Sequence, residues 1–184
     1  MNDRVLRLKI KMEKWQKISE TPMKDNFRKL ARRVFLLPDG RKEIYDVLLE
    51  YDTVCVLALT TDQKVILAKQ FRTGPEKILN ELPGGYIEKN ESPKEAIKKE
   101  LLEETGYSGK IDFVGKTIAN AYSTRISHHF AAIDCHKIAE PKNDKNEFTE
   151  VVLVSLDEFK KHLKTGKLTD SLTAYTGLNY LKLV

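Results

Sequence analysis

Residues 92–106, SPKEAIKKELLEETG, specify a helix at both of its ends. Ser92 can serve as the N-cap, Pro93 takes the first helical position, and Glu95 completes an S-x-x-E capping box. Gly106 can close the helix in a left-handed conformation. The spacing predicts a helix over 93–105. Before it, the runs RKLARRVFLL, RKEIYDVLLEY, TVCVLALTT and KVILAKQFR are β-branched or alternating and predict strands. Pro38-Asp39-Gly40 separates the first two and Asp62-Gln63 the second two, which suits hairpin connections. Beyond the helix, IDFVGKTIANAY, RISHHFAAIDCHKI and EVVLVSL are again strand-like, with AEPKNDKNEFTE as an exposed loop. The chain then turns helical: Ser155 and Glu158 repeat the capping-box spacing in a segment ending at Gly166, and LTDSLTAYTGLNYLKL predicts a last helix. Strands, helix, strands, helices in that order imply a mixed sheet with helices packed on its faces.

With 184 residues, 41% of them hydrophobic, the chain suits one α/β domain, 1–184, with a sizeable core. Residues 1–50 are the segment expected to serve as an N-terminal extension used for dimerisation. No apolar stretch approaches the roughly 18 residues of a spanning helix, and the opening MNDRVLRLKIKMEKW interleaves charge where a signal peptide would be apolar. A soluble, cytoplasmic protein with no membrane partner is the expectation. Cys55 and Cys135 sit in apolar runs without metal-ligand spacing and are expected to be buried, reduced and structural. The net charge of +5 is densest before residue 34, but the basic residues are spread among acids and form no nucleic-acid motif. That balance favours a small anionic ligand over nucleic acid.

At 100° per residue, Glu100, Glu103 and Glu104 fall within about one 100° sector, with Ile97 and Leu101 immediately beside it. A solvated acidic face would lie opposite the apolar stripe. Like charges at these spacings also cost a few tenths of a kcal/mol each. Lys98 and Lys99 can offset part of the charge, and a hard divalent ion such as Mg²⁺ or Mn²⁺ can offset it as well. On periodicity alone, a charged structural helix and a metal site both stay open.

The same residues resemble a known family. The Nudix hydrolases carry the box G-x5-E-x7-R-E-U-x-E-E-x-G-U, with U a bulky apolar residue. This chain matches it at Gly85, Glu91, Glu100, Leu101, Glu103, Glu104, Gly106 and Tyr107, with Lys99 where the family has arginine. The resemblance extends from about Trp15 to Leu183. It is most similar to the ADP-ribose pyrophosphatase branch, through LLPDGRKEIYDVLLEYDTVCVLALT, AKQFRTG, ELPGGYIEKNE and LKTGKLTDSLTAYTGLNYL.

The resemblance implies a Nudix α/β/α sandwich with a mixed sheet and an N-terminal β extension. It implies a homodimer, and metal-dependent hydrolysis of a nucleoside diphosphate sugar, ADP-ribose first, with Mg²⁺ or Mn²⁺. Two other activities stay open: nucleotide binding without turnover, because Lys99 replaces an arginine fork, and action on RNA 5′ ends or nucleoside triphosphates. By the resemblance, Glu100, Glu103 and Glu104 are the metal ligands, with Glu103 and Glu104 also counted as catalytic. Gly84 brings backbone to the metal, and Gly85 brings it to the substrate. Glu91 is expected to assist from the loop side. Glu147, in the loop after the second strand group, is the expected general base, chosen over Glu150. Arg72, Glu81 and Arg125 are expected to contact substrate. His128 and His129, adjacent on a strand, are expected to be one packed and one exposed.

Overall fold

The computed structural model describes residues 16–23, 29–142 and 149–184. Glu147 and the basic stretch from Arg7 to Lys14 lie outside the described residues. The chain separates into two compact units, Met1–Glu50 with Asn120–Thr124, and Tyr51–Ala119 with Arg125–Val184.

The first unit holds an antiparallel three-stranded sheet of β1 (Gln16–Met23), β2 (Lys29–Leu36) and β3 (Lys42–Leu49), in that order. The β2–β3 hairpin turns on Pro38-Asp39-Gly40, where Gly40 takes φ 85 and donates to the Leu37 carbonyl. Segment 120–124 lies against β3: the amides of Leu48 and Thr124 bond to the carbonyls of Tyr122 and Leu48. The β1 sequence QKISETPM lacks an alternating apolar pattern, so sequence reasoning passed over it.

The second unit is built on β4 (Thr53–Thr60), β5 (Val65–Arg72), β6 (Lys77–Glu81), β7 (Gly84–Tyr86), β8 (Tyr107–Ile118), β9 (Ile126–Lys137) and β10 (Glu150–Val154). The order is β10-β5-β4-β9-β8, with β6 beside β5 and β7 beside β4. The β4–β9 pair is parallel and the other pairs are antiparallel, so the sheet is mixed as expected.

Among the described residues three helices cover this sheet: α1 (Pro93–Thr105), α2 (Leu156–Leu163) and α3 (Ser171–Tyr180). Strand β4 shows why both faces are covered. Val54, Val56 and Ala58 pack with Ala96, Ile97 and Leu101 of α1, whereas Cys55, Leu57 and Leu59 pack with Phe159 and Leu163 of α2 and Ala174 and Leu178 of α3. Successive side chains point to opposite faces, so a continuously apolar strand needs a layer on each side. This is the α/β/α sandwich. Among the described residues no helix is long and apolar enough to cross a membrane.

Helix α1 has the anticipated ends. Ser92 accepts from the Glu95 amide, the Glu95 carboxylate accepts from the Ser92 amide, and Gly106 sits at φ 75 with its N–H on the Leu102 carbonyl. Such an N-cap contributes about 1 kcal/mol. The same reciprocal box, Ser155 with Glu158, starts α2. Cys55 and Cys135 are buried free thiols, and burial pushes Cys135 up to about 11.

Candidate active site

A cleft of about 250 Å³ in the second unit is lined by Gln70 and Arg72 of β5, Gly84, Gly85 and Tyr86 of β7, Glu88, and Lys99, Glu100, Glu103 and Glu104 of α1, with Lys142 from the loop after β9. Its lining includes four carboxylates, Glu88, Glu100, Glu103 and Glu104, and three cations, Arg72, Lys99 and Lys142. The helix presents its acids here because Ala96, Ile97, Leu101 and Thr105 are buried against the sheet, leaving the adjacent sector half-buried.

Backbone draws close to these acids at β7. Gly84 pairs with Cys55, and a Cβ on it would lie 2.3 Å from the Val54 carbonyl oxygen and 2.8 Å from the Cys55 Cα. Only glycine lets β7 approach β4 this closely. From that position the Gly84 N–H donates to Glu104 Oε2 at 2.9 Å. At Gly85, a Cβ would stand 2.3 Å from Glu100 Oε1, so the Glu100 carboxylate lies directly over bare backbone.

Electrostatically, α1 carries its acids at the wrong end. Glu103 and Glu104 occupy the last turn, which has no basic residue, although the carboxyl end of a helix disfavours negative charge. Such a violation of local preference, next to a core, is characteristic of a functional site. Among the described residues, no three His, Cys, Asp or Glu side chains by themselves form a metal cage. Mg²⁺-type ions do not need one: they bind through one or two carboxylates, several waters and the substrate's phosphates. Hard oxygens over bare glycine backbone therefore fit a divalent cation.

Of the residues singled out by sequence, Arg72, Gly84, Gly85, Glu100, Glu103 and Glu104 come together in the cleft, and Glu81 and Arg125 are not among its lining residues. Glu81 is fully buried; its Oε2 is engaged by Arg72 Nε and its Oε1 accepts from Thr169 Oγ1 at 2.5 Å. Both oxygens are turned to protein partners. Arg125 is half-buried just before β9, where its carbonyl accepts from the Ala119 amide. Its charge is felt at Asp170, whose carboxyl is nevertheless pushed up, chiefly by burial.

Glu91 folds back onto its own turn, accepting from the Glu88 amide at 3.2 Å. Glu150 is a residue of β10 with its carboxylate on Lys69 Nζ at 2.8 Å. His129 is buried between the Thr117 and Thr173 hydroxyls, and burial pushes its imidazole below the usual range. His128 departs from the expected exposure: it is half-buried, 3.5 Å from Asp52, with the Phe113 ring centroid 6.4 Å away. The pairing of β8 with β9 brings Phe113 over a position that an isolated strand would leave open.

Lys99, the departure from the family arginine, reaches Glu88 Oε1 at 2.6 Å. That hydrogen bond holds its ammonium above the ordinary lysine range, with Glu103 and Glu91 adding to the effect. The lysine thus ties the helix to the loop ahead of it, and one ammonium does part of what a guanidinium fork would do.

Sequence reasoning missed Gln70, Tyr86, Glu88 and Lys142. Gln70 was findable, since it precedes Arg72 by two on one strand face. Lys142 was not. It arrives through backbone bonds: the amides of Ile138 and Ala139 bond to the Gly106 carbonyl, and the Lys142 amide bonds to the Glu103 carbonyl.

Comparison with known proteins finds pyrophosphatases among the chain's relatives. The chain is 33% identical over 150 residues, 80% of each chain, to the ADP-ribose pyrophosphatase of Bacillus subtilis. It is 29% identical to the GDP-mannose pyrophosphatase of Yersinia enterocolitica, over 87% of this chain and 91% of that one. A crystal structure of an ADP compounds hydrolase shares the fold, with a TM-score of 0.80 at 18% identity over 94% of this chain and 96% of that one. The NUDIX domain model matches residues 50–173, spanning β4 through the start of α3, and this chain belongs to that family.

Proposed function

We propose that the cleft hydrolyses the pyrophosphate bond of a nucleoside diphosphate sugar, ADP-ribose first, to a nucleoside monophosphate and a sugar phosphate, using Mg²⁺ or Mn²⁺. The observation that carries this reading is the gathering of Glu100 over Gly85, Glu104 on the Gly84 N–H, and Glu103 in one cleft with Arg72 and Lys142. The named activities of the relatives in Bacillus subtilis and Yersinia enterocolitica support it.

When bound, a divalent cation neutralises charge on the pyrophosphate and lowers the pKa of a water. Glu100, Glu103 and Glu104 are the residues to hold it. Arg72 and Lys142 bring positive charge to the phosphate oxygens, Arg72 with a planar fork of donors. The Gly84 N–H keeps Glu104 from turning away, since a carboxylate bonded to backbone is already oriented. Water forms a bond to one phosphorus while the bridging P–O bond breaks, and the water's proton passes to a loop acid, for which Glu147 is our choice.

A screen of nucleoside diphosphate sugars and dinucleotides with Mg²⁺ and Mn²⁺, read by phosphorus NMR, tests the proposal. Two monophosphate products from ADP-ribose are expected, and no hydrolysis of any compound would refute it. Because Lys99 already ties helix to loop, Lys99→Arg should leave kcat/KM within about tenfold of wild type, the scale of one charge-assisted hydrogen bond. Hydrolysis by that variant alone would instead mark the natural chain as a binder. We also propose that the chain is a homodimer that uses residues 1–50. Sedimentation velocity should give twice the 21.1 kDa chain mass, and a monomer would refute it.

A further inference from the structure

We propose that Thr169, on the turn into α3, is a positioning residue for Arg72, acting through the buried carboxylate of Glu81. The proposal rests on the pyrophosphatase reading only for its kinetic consequence. The structural part stands without it.

The register of β5 with β6 sets the geometry. Ala68 pairs with Glu81, so Glu81 lies on the same sheet face as Ala68, Gln70 and Arg72. Gln70 and Arg72 reach the cleft, and Glu81 lies deeper, fully buried. A buried carboxylate is tolerated only when its oxygens are bonded, and Glu81 has a partner on each. Arg72 Nε serves Oε2, and Thr169 Oγ1 serves Oε1 at 2.5 Å.

The Thr169 hydroxyl has one proton and two carboxylates in reach, Glu81 at 2.5 Å and Asp170 Oδ2 at 3.1 Å. The shorter contact takes it. That donation pins one end of the Glu81 carboxylate, which leaves the other oxygen in a set position for Arg72. Arg72 uses its Nε on Glu81, so its terminal nitrogens remain for the cleft, where its side chain is 43% exposed. A guanidinium held at Nε presents its outer edge in one orientation, the arrangement required for two-pronged contact with a phosphate. The chain Thr169–Glu81–Arg72 thus carries the position of the turn ahead of α3 into the cleft. It also accounts for an acid in ELPGG that does not itself line the site.

Two measurements test it. The first is the Arg72 Nε–H resonance in the ¹⁵N-labelled protein without substrate, assigned by its loss in Arg72→Lys. It should shift or broaden in Thr169→Val and Thr169→Ala and hold its place in Thr169→Ser. The second is kinetic. Thr169→Val should raise KM for ADP-ribose about tenfold with kcat within about twofold, Thr169→Ser should restore wild-type KM, and the effect should vanish in an Arg72→Ala background. A resonance unmoved in both hydroxyl-free variants overturns the proposal, as does a KM change undiminished in Arg72→Ala. Absence of wild-type turnover refutes the pyrophosphatase reading and leaves the resonance to decide this one.

Discussion

Glu103→Gln combined with Glu104→Gln is expected to abolish measurable turnover, a loss of at least about a thousandfold in kcat, without destabilising the protein. The two effects separate because the carboxylates work against the helix that carries them. Both lie in the last turn of α1, where the helix dipole is negative and the turn itself carries no basic residue. Replacing each charge with an amide of the same shape relieves roughly 0.3–1 kcal/mol per residue. The hydrogen bond from the Gly84 N–H is kept, because the glutamine carbonyl accepts as the carboxylate did.

Thermal melting should therefore show an unchanged or higher Tm. Added Mg²⁺ should raise the Tm of the wild type and leave that of the double variant where it was. A fully active double variant would remove the basis of the proposed chemistry. A folded, inactive and more stable one is the pattern of a site maintained at a cost in stability.

The adjacent glycines should respond to alanine in opposite ways. At Gly84 the new methyl meets the Val54 carbonyl oxygen at 2.3 Å and the Cys55 Cα at 2.8 Å, both fixed backbone of the central strand β4. Those atoms move only if the β4–β7 pairing opens, so Gly84→Ala should cost about 3 kcal/mol and lower Tm by about 10 °C.

At Gly85 the methyl meets the Glu100 carboxylate at 2.3 Å, the far end of a flexible side chain. Glu100 can swing aside, so Gly85→Ala should change stability by less than about 1 kcal/mol. The swing takes a carboxylate from its place in the cleft, and kcat/KM should fall about a hundredfold. Melting curves and the phosphorus NMR assay on both variants check the contrast. Equal loss of stability at the two positions would mean that the Glu100 carboxylate is held as rigidly as the β4 backbone.

Legibility followed the range of the interactions. The strands from β2 to β5 and from β8 to β10 were readable from their own apolar or alternating runs, and helices α1 and α2 from their capping boxes. The short strands β6 and β7 were not. KILNE and GGY are too brief for a pattern, and two of the three residues in β7 are glycines that no strand propensity would select. They are strands because β5 and β4 offer them hydrogen-bond partners.

The site divides along the same line. Its acids were readable from helical spacing and from the box, but Arg72 and Glu81 looked alike as charged residues near strand ends. One lines the cleft and the other is fully buried beneath it, a difference made by the β5–β6 register and by Thr169 far along the chain.

What the sequence determined by itself is helix α1, its two caps and the sector on which Glu100, Glu103 and Glu104 stand, because these depend on bonds and angles within about one helix length. Only the tertiary structure decided what those acids face. Bare backbone at Gly84 and Gly85, Arg72 held from behind, and Lys142 strapped to the end of α1 all depend on pairings between residues distant in the chain. Local preference cannot specify such pairings, because each forms only when the sheet and both helical layers are in place.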